Sequence, residues 1–201
     1  LPPAAVHVID PAPSDWLAGT GVALDGEVPP DPAVLLVAVK PQMMAEALPR
    51  VASLGGGGTL VVSVAAGTPL RLFEAAFGAG TPVVRAMPNT PAAVGQGITA
   101  LAANAAAGTE GLATAEALLS AVGRVVRLAE EAQMDAVTGV SGSGPAYVFH
   151  LVEALARAGE DAGLAPDLAM ALARQTVAGA GALLAASEES AEQLRVNVTS
   201  P

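Results

Sequence analysis

Few side chains in this chain combine reactive chemistry with a position that could use it. Lys40, the only lysine, ends the apolar run Ala33-Val34-Leu35-Leu36-Val37-Ala38-Val39 and precedes Pro41. A lysine at a strand exit with a helix start behind it offers a cation and free N–H groups to a phosphorylated ligand. Asp10 closes a second run, Val6-His7-Val8-Ile9, just before Pro11. An acid there holds the ribose 2′-hydroxyl of NAD and repels the 2′-phosphate of NADP, which favours NADH. Val64-Ala65-Ala66-Gly67 ends a third run and lets a flat ring lie against backbone; Met87-Pro88-Asn89-Thr90-Pro91 ends a fourth. These four ends are expected on one edge of a sheet, where open parallel sheets bind small molecules. A solvated lysine, a turn-forming aspartate and a tight strand-to-helix turn are the plain alternatives, and the residues alone do not choose among them.

Other chemistries find no constellation. Ser141 and Ser143 lie in a Gly-rich loop without a G-x-S-x-G, and His7 and His150 fall on an early strand and in mid-helix. With no cysteine and two histidines, thiolate, disulfide and zinc chemistry are set aside. The match to G-x-G-x-x-G/A at Gly95-Gln96-Gly97-Ile98-Thr99-Ala100 leads into a strand-like run instead of a helix, and is read as a chance loop. A net charge of -10 gives no electrostatic footprint for nucleic acid or anionic membrane. Gly, Pro or charge interrupts the apolar stretches before the roughly 20 residues needed to cross a bilayer. No basic, apolar leader opens the chain, so a soluble cytoplasmic protein without nucleic-acid or membrane partners is expected. The chain starts Leu-Pro-Pro and stops at Val198-Thr199-Ser200-Pro201, as a chain trimmed at both ends would. A dinucleotide fingerprint would then belong before Leu1.

The elements follow from periodicity. An apolar fraction of 52% with 2% aromatic residues means a core of Ala, Val and Leu, which suits helices lying closely on a parallel sheet. Strands are expected at 6–10, 33–40, 59–67, 82–88, 98–101 and 125–128, with a small one at 21–24. Helices are expected after Pro41, over 70–77 behind a Thr68 N-cap, and over 109–122. This alternation predicts an α/β fold, a Rossmann-like, doubly wound, mostly parallel sheet over 1–129. From Glu130 the pattern turns helical: 130–137, 145–162, 166–186, and a short helix opened by Ser187 with Glu188 and Glu189 in its first turn. The stretch Val137-Thr138-Gly139-Val140-Ser141-Gly142-Ser143-Gly144-Pro145-Ala146-Tyr147-Val148-Phe149 hinges the two regions, and 130–201 reads as an all-helical domain. Ala178-Gly179-Ala180-Gly181-Ala182 in mid-helix marks a face for close packing, including against a second subunit.

Five stretches, in order and near the same spacings, resemble pyrroline-5-carboxylate reductases. They are Val37-Ala38-Val39-Lys40-Pro41-Gln42, Ser63-Val64-Ala65-Ala66-Gly67, Arg85-Ala86-Met87-Pro88-Asn89-Thr90-Pro91, Asp135-Ala136-Val137-Thr138-Gly139-Val140-Ser141-Gly142-Ser143-Gly144-Pro145-Ala146-Tyr147, and Asn197-Val198-Thr199-Ser200-Pro201. The resemblance implies NADPH- or NADH-dependent reduction of the ring C=N of pyrroline-5-carboxylate, the last step of proline biosynthesis. It implies an N-terminal Rossmann domain and a helical domain that interlocks with a partner copy as a homodimer or higher oligomer. Carried over by position, the cofactor would contact Asp10, Pro11, Ala38, Val39, Lys40, Pro41, Val64, Ala65 and Ala66, with Asn89 in the same set and Glu131 and Asn197 reaching it from the second domain. Asp25 stands where relatives often carry an asparagine for the cofactor ribose. Val198, Thr199 and Ser200 would begin the loop that holds the substrate carboxylate, and Glu188, on the short helix before it, would lie near the substrate nitrogen. No acid or base stands out as catalytic, because hydride transfer to a protonated imine needs geometry and a dry cleft. Alternatives are a related imine or hydroxy-acid dehydrogenase and a non-catalytic nucleotide-binding or assembly module. A lysine in the second domain would mark a hydroxy-acid enzyme, and none follows Lys40.

Overall fold

A computed structural model describes residues 1–24 and 26–199. The chain divides into two compact units, Leu1–Val137 and Thr138–Pro201.

The first unit is built on strands with helices on both faces. After β1 (His7–Val8), Ser14 caps the short helix α1 (Asp15–Ala18) by accepting from the Leu17 N–H, and β2 (Ala23–Leu24) then pairs parallel with β1. The main sheet holds β3 (Val34–Val37), β4 (Leu60–Ser63), β5 (Val83–Met87), β6 (Gly97–Ala103) and β7 (Gly123–Arg127), in that spatial order. Its register puts Val37 beside Ser63 and Ser63 beside Arg85. Two differences from the sequence reading appear. The Asp10 strand lies in a separate two-stranded sheet, so three of the four expected strand ends, not all four, share an edge of the main sheet. Strand β6 runs antiparallel to β5, because their link through the 3-10 helix Thr90–Val94 is too short for the crossover of about a dozen residues that parallel pairing needs.

Strand alternation sorts the core into two layers. Val61 and Val83 face α2 (Met44–Val51) and α3 (Leu70–Phe77), packing with Met44, Leu48, Phe73 and Phe77. Leu60, Val62, Val84 and Leu101 face the other way, against Ala107 and Ala115 beside and within α4 (Gly108–Leu119). A strand buried on both faces reads as an unbroken apolar run, which is why Leu60-Val61-Val62 was legible. At the edge opposite the strand exits, buried Asn104 holds several chain segments together. Its Oδ1 accepts from the Val83 and Ala107 N–H groups at 3.0 Å each, and its Nδ2 donates to the Thr81 carbonyl at 2.9 Å and to Glu74 Oε1 at 3.2 Å. A 3-10 turn, Glu131–Gln133, closed by a capping box between Glu130 and Gln133, leads into α5 (Met134–Val137), whose Met134 is buried.

The second unit starts with a π-helical turn, Thr138–Gly142, and continues as α6 (Gly144–Asp161), α7 (Pro166–Ala186) and α8 (Ala191–Asn197). Small residues let α6 and α7 approach: Ala156, Ala169 and Ala173 are buried, and a Cβ on Gly159 would sit 3.1 Å from that of Ala169. Large side chains point outward instead, with Tyr147, Phe149, Leu172 and Leu183 all more than half exposed. By length and composition alone α7 could cross a membrane, which corrects the expectation that Gly and charge would break every such stretch. Gly179 and Gly181 stay helical within it. The last helix opens later than expected. Ser190 accepts from the Gln193 N–H as the cap, whereas Ser187 follows α7 and accepts from the Glu189 N–H, so Glu188 and Glu189 precede the helix.

Replacing Asn104 by Ala leaves two N–H groups and one carbonyl unpaired. Each such buried group costs about 1–3 kcal/mol, so urea denaturation is expected to show a loss of about 3 kcal/mol with an unchanged m-value. A loss below about 0.5 kcal/mol would mean that water replaces the side chain.

Candidate functional site

Parallel register fixes the site before any side chain is considered. With Val37, Ser63 and Arg85 side by side, the exits of β3, β4 and β5 open at one edge in adjacent positions. The first exit carries Ala38, Val39, Lys40 and Pro41. Lys40 adopts extended backbone (φ -61°, ψ 144°) immediately before the 3-10 helix Pro41–Met43, with Pro41 at the first helical position as expected. Its ammonium is exposed and has no ion pair among the described residues.

The second exit, residues 64–69, is held by polar side chains behind it. Ser63 is fully buried, and its Oγ accepts from the Ala65 N–H at 3.3 Å. Thr68 does not cap the next helix as the sequence suggested; its Oγ1 donates to the Ala66 carbonyl at 3.5 Å. The N-cap position belongs to Pro69, whose ring carries no acceptor for the free N–H groups. Glu131 supplies the missing acceptor from far along the chain, its Oε1 taking the Leu70 N–H at 2.8 Å and Arg85 Nη1 at 2.7 Å. Gly67 turns the ribbon at φ +70°, where a side chain would be strained. The third exit is tied down by Asn89, whose Oδ1 accepts from the Ile98 N–H at 2.9 Å, linking the loop after β5 to the start of β6. Gly95 and Gly97, two glycines of the apparent fingerprint, instead end the 3-10 turn and open β6.

The remaining expected residues belong to the chain after β1 or to the second unit, or lie outside the described residues. Asp10 follows β1, and its Oδ1 accepts from the Ala12 N–H at 2.9 Å, a local turn bond. Asp25 and Ser200 lie outside the described residues. Within the second unit, Asn197 sits at the end of α8, its Nδ2 donating to both Glu189 carboxylate oxygens at 3.3 and 3.2 Å and its Oδ1 accepting from Gln193 Nε2 at 2.7 Å. Val198 and Thr199 follow, with Thr199 Oγ1 donating to the Arg195 carbonyl at 2.8 Å. Glu188 is exposed in the bend before α8.

Sequence reasoning gave no role to Ser63 and Arg85, which stand behind the exits, and read Thr68 as a helix cap. One signal was available. Arg85 interrupts the otherwise apolar run Val83-Val84-Arg85-Ala86-Met87, and it is the one charged residue among the buried ones described.

The arrangement fits a nicotinamide dinucleotide. Ala38, Ala66 and Gly67 are exposed and leave backbone approachable by a flat ring, Ala65 between them is buried in the core, and unpaired Lys40 at a helix start suits a phosphate. Groups of three or more His, Cys, Asp or Glu side chains that could hold a metal are absent among the described residues.

Comparison with known proteins gives consistent findings. Residues 131–201 match the family model for pyrroline-5-carboxylate reductase dimerisation. A pyrroline-5-carboxylate reductase of Synechocystis sp. is 51% identical over 170 residues, covering 84% of this chain and 62% of that protein. One of Pseudomonas aeruginosa is 45% identical over 180 residues, covering 90% and 66%. The chain thus spans slightly less than two thirds of these curated relatives. Among solved structures, a pyrroline-5-carboxylate reductase from Coxiella burnetii superposes with a TM-score of 0.89 at 35% identity, covering 99% of this chain and 76% of that one. A pyrroline carboxylate reductase of Plasmodium falciparum with NADP bound gives 0.82 at 26%, covering 97% and 73%.

Removing the Asn89 carboxamide with Asn89→Ala is expected to cost about 1 kcal/mol and to speed hydrogen exchange at Ile98. Unchanged exchange at Ile98 would show that the loop is held by other contacts.

Proposed function

The chain belongs to the pyrroline-5-carboxylate reductase family, and on that premise we propose that its protein reduces the ring C=N of pyrroline-5-carboxylate to give proline, the last step of proline biosynthesis, using NADPH or NADH. The observation that carries this reading is the row of three parallel strand exits, which presents small residues and the unpaired Lys40 at one edge. The bound reduced cofactor supplies the hydride. Residues 1–129 then act as the dinucleotide-binding domain and 130–201 as the helical domain for dimerisation and substrate. Lys40 holds phosphate, with Asp10 and Asp25 at the ribose. Ala38, Val39, Pro41, Val64, Ala65, Ala66 and Asn89 line the nicotinamide side, and Asn197 contacts the cofactor from the helical domain. Glu188, Val198, Thr199 and Ser200 hold substrate. Self-association follows from the outward-facing Tyr147, Phe149, Leu172 and Leu183, which are the large apolar side chains a partner copy would bury. A cytoplasmic location is part of the same proposal.

The chemistry asks little of reactive side chains. A protonated imine accepts hydride readily, so the chain's work is to hold donor and acceptor carbons in near-attack geometry and to keep water out. That requirement explains a site built from backbone and small residues.

The direct test is oxidation of NADH and NADPH by the complete reading frame, with and without pyrroline-5-carboxylate. Substrate-dependent oxidation is expected, and a folded protein that oxidises neither cofactor refutes the reading. Lys40→Ala should raise the cofactor Kd about tenfold, the loss of one charge-assisted contact. An unchanged Kd removes Lys40 from the site. Asp10→Ser should shift the rate ratio toward NADPH, and an unchanged ratio reduces Asp10 to its bond with Ala12.

A further inference from the structure

We propose that Arg85 and Glu131 form a positioning pair that sets the geometry of the ribbon at residues 64–69, so that Arg85 governs hydride transfer without touching cofactor or substrate. This rests on the reductase reading above and assigns a role to a residue outside the expected site.

The case begins with burial. Arg85 lies on β5, the middle strand of the main sheet, with 8% of its side chain exposed. A guanidinium there must be paired, and an apolar side chain of similar volume would serve packing as well or better. What the charge adds is direction. Its register partner Ser63 lies on the same face of the sheet, and both side chains serve the exit of β4: Ser63 through the Ala65 N–H, Arg85 through Glu131.

Glu131 converts that charge into position. One carboxylate oxygen takes both Arg85 Nη1 and the Leu70 N–H, the latter at the start of a helix that has no side-chain cap of its own. The unpaired N–H groups of a helix start favour a carboxylate, so Arg85 and the α3 terminus together fix the same oxygen. Beside the backbone bond from the Val64 N–H to the Val37 carbonyl at 3.1 Å, the ribbon between Ser63 and Leu70 therefore has three side-chain anchors among the described residues. The two local ones, at 3.3 and 3.5 Å, are long, and the Glu131 bond at 2.8 Å is the short one. Arg85 also stands two residues before the end of β5, so the pair couples the exits of β4 and β5. With its Oε1 committed to these two donors, Glu131 acts as a strut for the cofactor site. Misplacement by about 1 Å can cost about 10²-fold in rate, which is the scale on which such a strut matters.

The experiment uses the complete reading frame with Arg85→Met, Arg85→Lys, Glu131→Gln and the Arg85→Met/Glu131→Gln double variant. It measures kcat, KM for pyrroline-5-carboxylate and the Kd of the reduced dinucleotide from its fluorescence. Arg85→Met is expected to lower kcat at least about tenfold with Kd changed less than about threefold, and Arg85→Lys to recover part of the loss. The double variant should be no worse than the poorer single one, as for residues acting as a unit. A kcat within about twofold of wild type in the folded Arg85→Lys and Arg85→Met proteins overturns the proposal. So does a rise in Kd with Glu131→Gln that Arg85→Met does not share, which would make Glu131 a cofactor contact. Should Arg85→Met not fold, the kcat of Arg85→Lys and Glu131→Gln decides by the same twofold criterion. A wild type without substrate-dependent oxidation would refute the reductase reading separately. In that case hydrogen exchange at the Leu70 amide still tests the strut: protection lost in Glu131→Ala supports it, and protection retained overturns it.

Discussion

Parallel pairing of β3, β4 and β5 is the constraint from which the rest of the first unit follows. Once Val37, Ser63 and Arg85 are in register, three chain exits open next to one another and three following segments must begin there. Two of them become helices that cover one face, and their apolar stripes meet Val61 and Val83. The third cannot cross over, so the chain turns back as β6 and brings α4 to the other face. A binding edge is thus a by-product of how parallel strands must be connected.

The two edges of that sheet are finished differently. At the far edge, Asn104 satisfies backbone groups with a single well-placed carboxamide. At the exit edge, backbone stays approachable while the anchors sit one layer behind it, in Ser63, Thr68 and the Arg85–Glu131 pair. Separating the support from the surface lets the exit edge stay open without leaving the loop loose.

Local signals were read well where one element decides its own fate. The α7 helix, with Pro166 at its start and a 3.6-residue period, has the bounds expected of it. Strand positions were legible because buried strands are continuous apolar runs. What escaped depends on partners distant in sequence. Thr68 has the right type for a cap, yet Glu131 supplies the acceptor from 61 residues away. The direction of β6 depends on a connection length whose ends cannot be set to within a residue or two. Ser187 and Ser190 are both plausible caps, and only the bonds to Glu189 and Gln193 separate their roles. Lys40 and Ala66 were legible as strand-exit residues and stand exposed there, whereas Ala65 is buried in the core; Arg85 was passed over because its side chain lies inside.

The second unit inverts the usual layout of a small domain. Its interior is alanine and glycine, where α6 and α7 nearly touch, and its large side chains lie outside. Burying a methyl group yields a small fraction of what burying a Phe or Leu yields. Such a helical pair therefore draws little free energy from its own interior, and its persistence becomes a matter of mass action. Whatever covers Tyr147, Phe149, Leu172 and Leu183 adds to folding stability in proportion to the logarithm of its concentration. On the self-association proposed above, folding and association of this part of the chain are linked, and dilution works against both.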